Sequence, residues 1–363
     1  MKCSLKYVIL LLTVIVSGTL LPNISECKSR NGFKIIELRN GNGQKVEITN
    51  YGARIISWYV KDNQNHLRNI VLGFSTKKQY EKADASFYSA IVGRYANRIE
   101  NFTLEGKEYH LTDDDFILHG GAEGFHQKMW KIKKVTNNSV VLSVYSKDGE
   151  AGFPGNLTVE VEYVLTESNE LKINYKAETD QSTPVNLTNH AFFNLKGAGN
   201  GTVLDLLLKV NADQYTPLKK GGLPTGEIAD VVNTAFDFRD FKKVGKAVNS
   251  DDPQIKLANG LDHNFVSKGV NAPLITAIDP SSGIKMEMTT TLPGVQIYTA
   301  NFLTGNDKSD EGKAFKARES ICFEAQFFAN SPQHSNFPNT ILKAGEVYRH
   351  STTYKVSVEN MNE

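Results

Sequence analysis

The sequence is short of the features that mark several large classes of protein. It has 363 residues but only three cysteines, and two of them, Cys3 and Cys27, lie within the first 27 residues. The rest of the chain therefore offers no disulfide framework. The formal net charge is +1, from 41 basic and 40 acidic residues, and the basic residues form no block. Nucleic acid and anionic membrane surfaces are therefore not expected as partners.

Motifs for cofactor and metal chemistry are also missing from the sequence. It contains no glycine-rich phosphate loop, no dinucleotide-binding fingerprint and no nucleophile elbow. His119, His190 and His263 would be available as metal ligands, but no pair of histidines has the close HxH or HExxH spacing typical of zinc sites. We therefore predict chemistry that needs neither a cofactor nor a metal ion.

One apolar run stands out, and it lies at the N-terminus. Lys2 and Lys6 precede an apolar stretch over residues 7–16, which is followed by small and polar residues. This order predicts a secretory signal peptide over residues 1–27 and an extracellular location for residues 28–363. An uncleaved leader acting as an anchor in the endoplasmic reticulum or another membrane is the alternative.

Glycosylation signals fit passage through the secretory pathway. Acceptor triplets of the form Asn-x-Ser/Thr begin at Asn101, Asn137, Asn156, Asn186 and Asn200. Asn186 lies inside a polar motif described below, which makes it a poor position for a glycan.

Long helical periodicity is nearly absent, and short β-rich runs separated by Gly, Asn, Asp and Pro replace it. Residues 158–163 alternate apolar with polar side chains, which is typical of an antiparallel strand with one exposed face. The predicted strands cover 45–49, 54–60, 140–145, 157–165, 171–177, 204–210, 284–291, 296–299, 321–328 and 354–358. Short helices are predicted only near 76–81 and 238–243. The pattern predicts an all-β fold, a large antiparallel β-sandwich that forms one domain over residues 28–363.

A carboxylate in the middle of the predicted strand 321–328 is the most informative single residue. Glu324 shares one face of this strand with Cys322 and Gln326, while the opposite face is apolar. A charge in such a place is costly unless it is paired, hydrogen-bonded or used in a reaction. The sequence therefore leaves two interpretations open, a structural hydrogen-bond network and a group poised for proton transfer.

Five further segments place polar side chains where the strand pattern predicts apolar ones. They contribute the candidate residues Asn97, Arg98, His119, His190, Asp262 and Gln296. The glycines after His119 would let the backbone approach a ligand closely. Taken singly, a loop arginine is usually just solvated, and a histidine such as His190 is often a satisfied core residue.

Together the candidate residues supply what a sugar-binding cleft needs. Imidazole, carboxylate, guanidinium and amide groups can bind sugar hydroxyls, and aromatic faces can cover the C–H groups of the ring. The aromatic candidates are Trp130, Phe192, Phe193, Tyr298 and Phe328.

In these segments the chain resembles the aldose 1-epimerase, or galactose mutarotase, family. The similarity covers almost the whole chain after the leader, because the motifs occur in one order from the start to the end. The motifs are Asn50-Tyr51-Gly52-Ala53, Val92-Gly93-Arg94-Tyr95-Ala96-Asn97-Arg98-Ile99, Leu118-His119-Gly120-Gly121, Asn186-Leu187-Thr188-Asn189-His190, Leu261-Asp262-His263-Asn264-Phe265, Pro293-Gly294-Val295-Gln296, Phe323-Glu324, and Ser331-Pro332 through Asn336-Phe337-Pro338. The resemblance implies a large antiparallel β-sandwich of the galactose mutarotase-like supersandwich type, with an open sugar cleft.

The resemblance also implies roles for single residues. Glu324 matches the general base, which takes the proton of the sugar C1 hydroxyl, and His190 matches the general acid, which protonates the ring oxygen. The opened aldehyde then recloses with either face exposed, and the two residues exchange roles. The positions that hold the hydroxyls or steady the developing charge match Asn97, Arg98, His119, Asp262 and Gln296. The implied substrate is a free aldohexose such as glucose or galactose, handled by a monomer or weak dimer without a cofactor.

The acid and the base must hold opposite protonation states at the working pH. We expect Arg98 or Gln296 to keep a partly buried Glu324 ionised, and Asp262 to keep His190 protonated.

Departures from the family pattern are small, and three other functions remain possible. Ala191 and Ala325 stand where the family often has threonine, and His126 replaces a more usual acidic residue, which affects the expected sugar preference. A secreted carbohydrate-binding protein without turnover would need neither an acid nor a base. A glycoside hydrolase could use Glu324 and Asp262 as its two carboxylates. An epimerase of hexose 6-phosphates would need an added cationic pocket.

Overall fold

Strands make up most of the regular structure in the computed structural model, which describes residues 27–30 and 32–359. The predicted leader, apart from the backbone of Cys27, lies outside the described residues. Three short α-helices occur in the described part, over Lys77–Lys82, Val244–Val248 and Pro253–Leu257. Short 3-10 turns occur at Gly121–Glu123, Phe125–Gln127, Glu150–Gly152 and Ser331–Gln333. No described helix is long and apolar enough to cross a lipid bilayer.

The largest sheet has nine strands, and every pairing within it is antiparallel. Its spatial order is Lys131–Val135, Ser139–Ser146, Leu157–Leu165, Glu170–Thr179, Val347–Val358, Ile284–Thr290, Ile275–Ile278, Leu207–Val210 and Lys242–Lys243. The strand Leu157–Leu165 buries every second residue, so one face of this sheet lies against the core and the other is partly exposed.

A six-stranded sheet carries the candidate chemistry. Its order is Phe192–Phe193, Ile321–Gln326, Gly294–Tyr298, Asp262–Val266, Gln214–Thr216 and Ala229–Asp230, again with antiparallel neighbours. A five-stranded sheet follows the order Cys27–Arg30, Phe33–Arg39, Lys45–Thr49, Ile55–Lys61 and Leu67–Asn69. Two-stranded pairs join Ile91–Val92 to Thr188–Asn189, Arg98–Ile99 to Ile117–Leu118, Phe102–Leu104 to Lys107–Tyr109, Thr183–Pro184 to Ile341–Leu342, and Thr304–Lys308 to Ala314–Lys316.

One large apolar core lies between these sheets. It includes Ile36 of the five-stranded sheet, Val161 of the nine-stranded sheet and Phe323 of the six-stranded sheet, all nearly inaccessible to solvent. Tyr354 of the nine-stranded sheet donates its hydroxyl to the carbonyl oxygen of Phe323 at 2.7 Å, which ties the two larger sheets together. Each fully buried aliphatic or aromatic side chain stabilises the fold by about 1.5–3 kcal/mol relative to exposure. The all-β sandwich predicted from the sequence is confirmed.

Two local predictions are wrong. The helix expected over 238–243 is absent, because Lys242–Lys243 pairs with the edge of the nine-stranded sheet and the helix begins only at Val244. The strand expected over 204–210 is shorter and covers Leu207–Val210. A turn precedes it, in which the Leu206 amide donates to the carbonyl of Val203. The first predicted helix, near 76–81, is present as Lys77–Lys82, with the Thr76 side chain accepting a bond from the Gln79 amide.

Candidate active site

His190 and Glu324 come together because His190 lies two residues before a short strand that pairs with the strand of Glu324. Phe192 lies opposite Cys322 in the six-stranded sheet. This pairing ends at Phe192, and the His190 backbone is instead hydrogen-bonded to Ser89 and Ala90, but the antiparallel direction of the two segments brings His190 toward Glu324. The Nε2 atom of His190 lies 3.5 Å from Oε1 of Glu324, and the two residues are only 5% and 2% exposed. The imidazole and the carboxyl group therefore share one nearly dry pocket.

Asn97 and His119 flank a second short pair of strands. Leu118 pairs with Arg98, so the residues just outside the pair, Asn97 and His119, face each other. The backbone amide of Asn97 donates to Nδ1 of His119 at 3.0 Å, and the amide of His119 donates to the carbonyl oxygen of Asn97 at 2.9 Å. Because Nδ1 is an acceptor, the neutral imidazole of His119 carries its proton on Nε2 and can donate a hydrogen bond there.

Asp262 and Gln296 enter from the next two strands of the six-stranded sheet. Gln296 pairs directly with Glu324, and its amide nitrogen donates to Oδ1 of Asp262 at 2.7 Å. A guanidinium nitrogen of Arg98 lies 3.9 Å from the other Asp262 oxygen, and another donates to Oδ1 of Asn97 at 3.2 Å. These contacts link the side chains into one polar lining.

All seven candidate residues line a single cleft of about 250 Å³. The remaining lining comes from the loop over residues 84–87, from Leu118, Phe192 and Tyr298, and from Phe302 and Leu303 at the other side. A larger groove of about 770 Å³ lies elsewhere, between residues such as Phe33, Tyr59 and Arg68, and contains none of the candidate residues. The smaller cleft is the one that holds acid and base groups in reach of each other.

The aromatic prediction is correct only in part. Phe192 and Tyr298 line the cleft. Trp130, Phe193 and Phe328 are buried outside the cleft lining. His263 also lies outside the cleft: its ring packs 4.5 Å from that of Phe236, and its Nε2 lies 3.1 Å from Oε1 of Gln254.

Sequence reasoning missed the cleft residues Phe87, Phe302 and Leu303. Phe302 is 65% exposed and lies in a turn between strands, so no apolar periodicity distinguishes it. Phe87 lies in a loop that also contains Ser86, and an aromatic residue in a polar loop was the available signal.

The pKa shifts in the free site run opposite to the expected protonation states of Glu324 and His190. Glu324 is buried rather than partly buried, and burial followed by the nearby charge of Asp262 raises its pKa well above the usual range, while Arg98 opposes this shift. Gln296 gives its amide proton to Asp262 rather than to Glu324. Burial also lowers the pKa of His190 to about 4. In the free cleft both groups therefore favour their neutral forms.

The three groups His119, His190 and Glu324 could also be considered as metal ligands. Their donor atoms all lie within 4.8 Å of one another. However, Nδ1 of His119 accepts the Asn97 amide proton, so Nε2 keeps its own proton and has no lone pair for a metal. The hydrogen bonding of His119 suits a proton donor toward a neutral ligand better than it suits a metal site.

Comparison with known proteins agrees with the geometry. Residues 34–355 match the family model described as Aldose 1-epimerase. Galactose mutarotase of Bos taurus is 41% identical over 320 residues, which cover 86% of this chain and 91% of that protein. Aldose 1-epimerase of Escherichia coli (strain K12) is 34% identical over 336 residues, covering 90% of this chain and 96% of that protein.

Solved structures give the same result for the fold. The crystal structure of an aldose epimerase homologue from C. elegans has a TM-score of 0.84 and 30% identity, and covers 90% of this chain and 100% of its own. Galactose 1-epimerase from Lactobacillus acidophilus NCFM has a TM-score of 0.80 and 28% identity, with 93% and 98% coverage. The family match covers both His190 and Glu324, and the chain belongs to the aldose 1-epimerase family of isomerases.

Proposed function

We propose that this protein is an aldose 1-epimerase that interconverts the α and β anomers of free aldohexoses such as galactose and glucose. The observation that carries the proposal is the 3.5 Å approach of His190 Nε2 to Glu324 Oε1 in a cleft lined with hydroxyl-binding groups. The two oxygens that exchange protons in mutarotation, O1 and O5, are bonded to the same carbon. An acid and a base that serve them must therefore lie close together.

The reaction needs no redox change and no added group. The Glu324 carboxylate takes the proton from the C1 hydroxyl while the His190 imidazolium gives its proton to the ring oxygen, so that the C1–O5 bond breaks and a C1 carbonyl forms. After rotation about C1–C2, neutral His190 removes the O5 proton, O5 attacks the other face of C1, and Glu324 returns its proton to O1. Each residue ends the cycle as it began.

The free site holds the right number of protons for this cycle. A neutral imidazole beside a protonated carboxyl group carries the same single proton as an imidazolium beside a carboxylate. Moving that proton from Glu324 to His190 across their 3.5 Å contact produces the reactive pair. Donors such as Nε2 of His119 and the Arg98 guanidinium favour a sugar orientation in which developing charge is stabilised.

The five remaining cleft residues are assigned to binding. Asn97, Arg98, His119, Asp262 and Gln296 offer donors and acceptors that match ring hydroxyls. Among the described residues that line the cleft, Arg98 is the single lysine or arginine, and its guanidinium faces Asp262. This pairing favours a neutral sugar over a hexose phosphate.

Polarimetry tests the proposal directly. Freshly dissolved α-D-galactose and α-D-glucose should reach anomeric equilibrium faster with the purified chain than in buffer alone, and chromogenic glycosides should stay intact. Mutarotation at the buffer rate with retained sugar binding would instead identify a carbohydrate-binding protein. Release of the chromophore would identify a glycoside hydrolase.

We also propose that the chain is secreted and carries a glycan at Asn137. The apolar leader supports secretion, and Asn137 is exposed in the turn between Lys131–Val135 and Ser139–Ser146. Asn186 is fully buried, and its side-chain nitrogen donates to the carbonyls of Ala96 and Phe327.

Three other acceptor amides are already engaged. Asn101, Asn156 and Asn200 each donate from Nδ2, to Thr112, Asp180 and Lys196 respectively. Of the five, Asn137 therefore offers the most accessible amide.

Expression in a eukaryotic secretory host tests both parts of this proposal. We expect the protein in the medium, with a mobility shift after peptide N-glycosidase treatment that the N137Q variant loses. The matched N186Q variant should change no glycan. Retention of the protein in membranes with an intact leader would favour the anchor. A wild-type band that does not shift after the enzyme treatment would refute N-glycosylation. Light scattering of the same secreted material tests the proposed monomer or weak dimer.

A further inference from the structure

Arg54 is a buried cation that the reaction does not use. It is 1% exposed, and among the described residues it forms no ion pair with a carboxylate. Its guanidinium instead donates to three backbone carbonyls, those of Ser86 at 2.9 Å, Tyr88 at 2.6 Å and His126 at 2.9 Å. It also lies over the ring of Tyr80, 4.5 Å from its centroid. Burial lowers the pKa of Arg54 to about 10, so its charge is kept at a cost.

Two of these three bonds fix the residues on either side of Phe87. The Phe87 ring lies in the cleft, with its centroid 4.5 Å from that of His119 and 4.6 Å from that of His126. A planar guanidinium can hold several carbonyls at once, whereas an ammonium group cannot reproduce this fork. Arg54 therefore fixes the place of the Phe87 ring.

Phe87 also covers one face of the general acid. Its ring is nearly parallel to the His190 imidazole, at 25° and 6.0 Å between centroids. The Phe192 ring is also nearly parallel to the imidazole, at 24° and 5.0 Å between centroids. The imidazole thus has two nearly parallel phenyl rings as neighbours, and a phenyl face attracts a cation more strongly than it attracts a neutral ring.

We propose that Arg54 and Phe87 are positioning residues for His190, with Arg54 fixing the Phe87 ring so that this ring orients the imidazole toward Glu324 and its face stabilises the protonated form. The charge of Arg54 itself opposes that form, so its contribution comes only through the ring. This inference rests on the proposed role of His190 as general acid. It assigns a role in catalysis to Phe87 and Arg54, although neither residue transfers a proton to or from the sugar.

The proposal predicts a distinctive change in F87L. Loss of the ring face disfavours the imidazolium, so kcat should fall about 10-fold while KM for galactose changes by less than about 3-fold. Protonation of His190 beside a protonated Glu324 becomes harder, so the acid limb of kcat/KM should move to lower pH. The alkaline limb, which reports loss of the carboxyl proton, should stay in place. F87Y keeps an aromatic face and should therefore have the wild-type kcat and the wild-type position of the acid limb.

The charged and titratable groups around His190 are unchanged in this test. They are Glu324, Asp262, His119, His126, Tyr298, Arg54 and Arg98. Assays made immediately after transfer from neutral pH keep acid unfolding from contributing to the acid limb.

R54K tests whether Arg54 acts through Phe87, because lysine keeps the positive charge but cannot hold several backbone carbonyls as the planar guanidinium does. We expect its kcat to fall as in F87L, and the double variant F87L/R54K to lose little more than either single variant. R94K is the matched control, since Arg94 is also buried and donates to backbone carbonyls, those of Pro154 and Gly155, away from the cleft. R94K should change stability without moving the acid limb.

Different failures have different meanings. Wild-type kcat and an unmoved acid limb in F87L would overturn the positioning role, as would a loss confined to KM, which would make Phe87 a sugar contact. Normal turnover in H190N would exclude His190 as the general acid and would refute this inference. Absence of mutarotation by the wild-type chain would instead refute the proposed function.

Discussion

At the scale of single residues, the proposed mechanism depends on one proton shared by two buried side chains, His190 and Glu324. Burial raises the pKa of Glu324 and lowers that of His190, so the surroundings favour the neutral form of each group. The sugar must therefore bind where its own O1 and O5 complete the proton path. This explains why the acid and the base lie in direct contact rather than on opposite walls of the cleft.

Replacement of either member should abolish most turnover. We expect E324Q and H190N each to lower kcat by at least ~10²-fold, because each removes one of two concerted proton transfers. Glutamine is nearly isosteric with the protonated carboxyl group, so the free energy of unfolding should change little. Polarimetry on α-D-galactose measures turnover, and urea unfolding checks the fold.

The contrary result would be informative for each residue separately. Wild-type kcat in E324Q or in H190N would exclude that residue from proton transfer. A loss of kcat together with a collapsed fold would be resolved by E324D and H190Q, which keep similar polarity.

At the scale of elements, the alternation of apolar and polar residues was enough to predict most strands. Leu157–Leu165 and Lys45–Thr49 have the predicted bounds. The strand with Glu324 ends at Gln326, two residues earlier than predicted, and is buried along its whole length. The pattern failed where an edge strand is only two residues long, as at Lys242–Lys243, because so short a segment has no period.

The candidate site shows a different limit of sequence reasoning. Resemblance to a family identified seven residues that the fold does bring to one cleft, but the pKa shifts of two of them, Glu324 and His190, run opposite to the charges expected. The pKa of Glu324 depends on how deeply the strand is buried and on where Gln296 points, and both are set by distant segments. Phe87 was missed for the same reason, since only the packed loop shows that it covers His190.

The glycine after His119 has a structural role that differs from the expected one. Gly120 has a φ of +84°, and a Cβ atom there would lie 2.1 Å from the carbonyl oxygen of Gly93. The close approach is therefore between two parts of the protein backbone rather than between backbone and ligand. Gly120 fixes the segment that carries His119 against the segment that carries Asn97.

We expect G120A to destabilise the fold by several kcal/mol and to weaken sugar binding, because both the left-handed φ and the clash oppose alanine. Gly149, with a φ of +79° and open space around it, is the matched control. G149A should cost only about 1–2 kcal/mol, the strain of the left-handed conformation alone. Urea unfolding of both variants gives the comparison, and equal losses would show that the contact with Gly93 can relax.

At the scale of the whole molecule, buried neutral histidines make the fold sensitive to acid. Burial lowers the pKa of His190 to about 4, that of His126 and His263 to about 3, and that of His119 well below its usual value. A group whose pKa is lower in the folded state contributes stability above its unfolded pKa, and this is lost as pH falls through the folded value. Glu324 has the opposite sign, because its raised pKa favours the folded state at low pH.

The histidines outnumber this single carboxyl group, so the free energy of unfolding should fall as pH decreases from about 6.5 to about 4. Urea unfolding across this range measures the slope. H263Q should reduce the slope, while H66Q, which replaces a histidine whose side chain is 66% exposed, should leave it unchanged. A flat profile between these pH values would contradict the prediction.

The pairing of Phe192 with Cys322 has a consequence for how the enzyme matures. The proposed acid and base are brought together by a pairing between segments 130 residues apart in the chain, and a slip of this pairing by one position would move Glu324 away from the imidazole. A nascent or partly refolded polypeptide can thus possess abundant strands and still be catalytically silent. Recovered turnover reports that the final alignment has been reached, which spectroscopic β content alone does not.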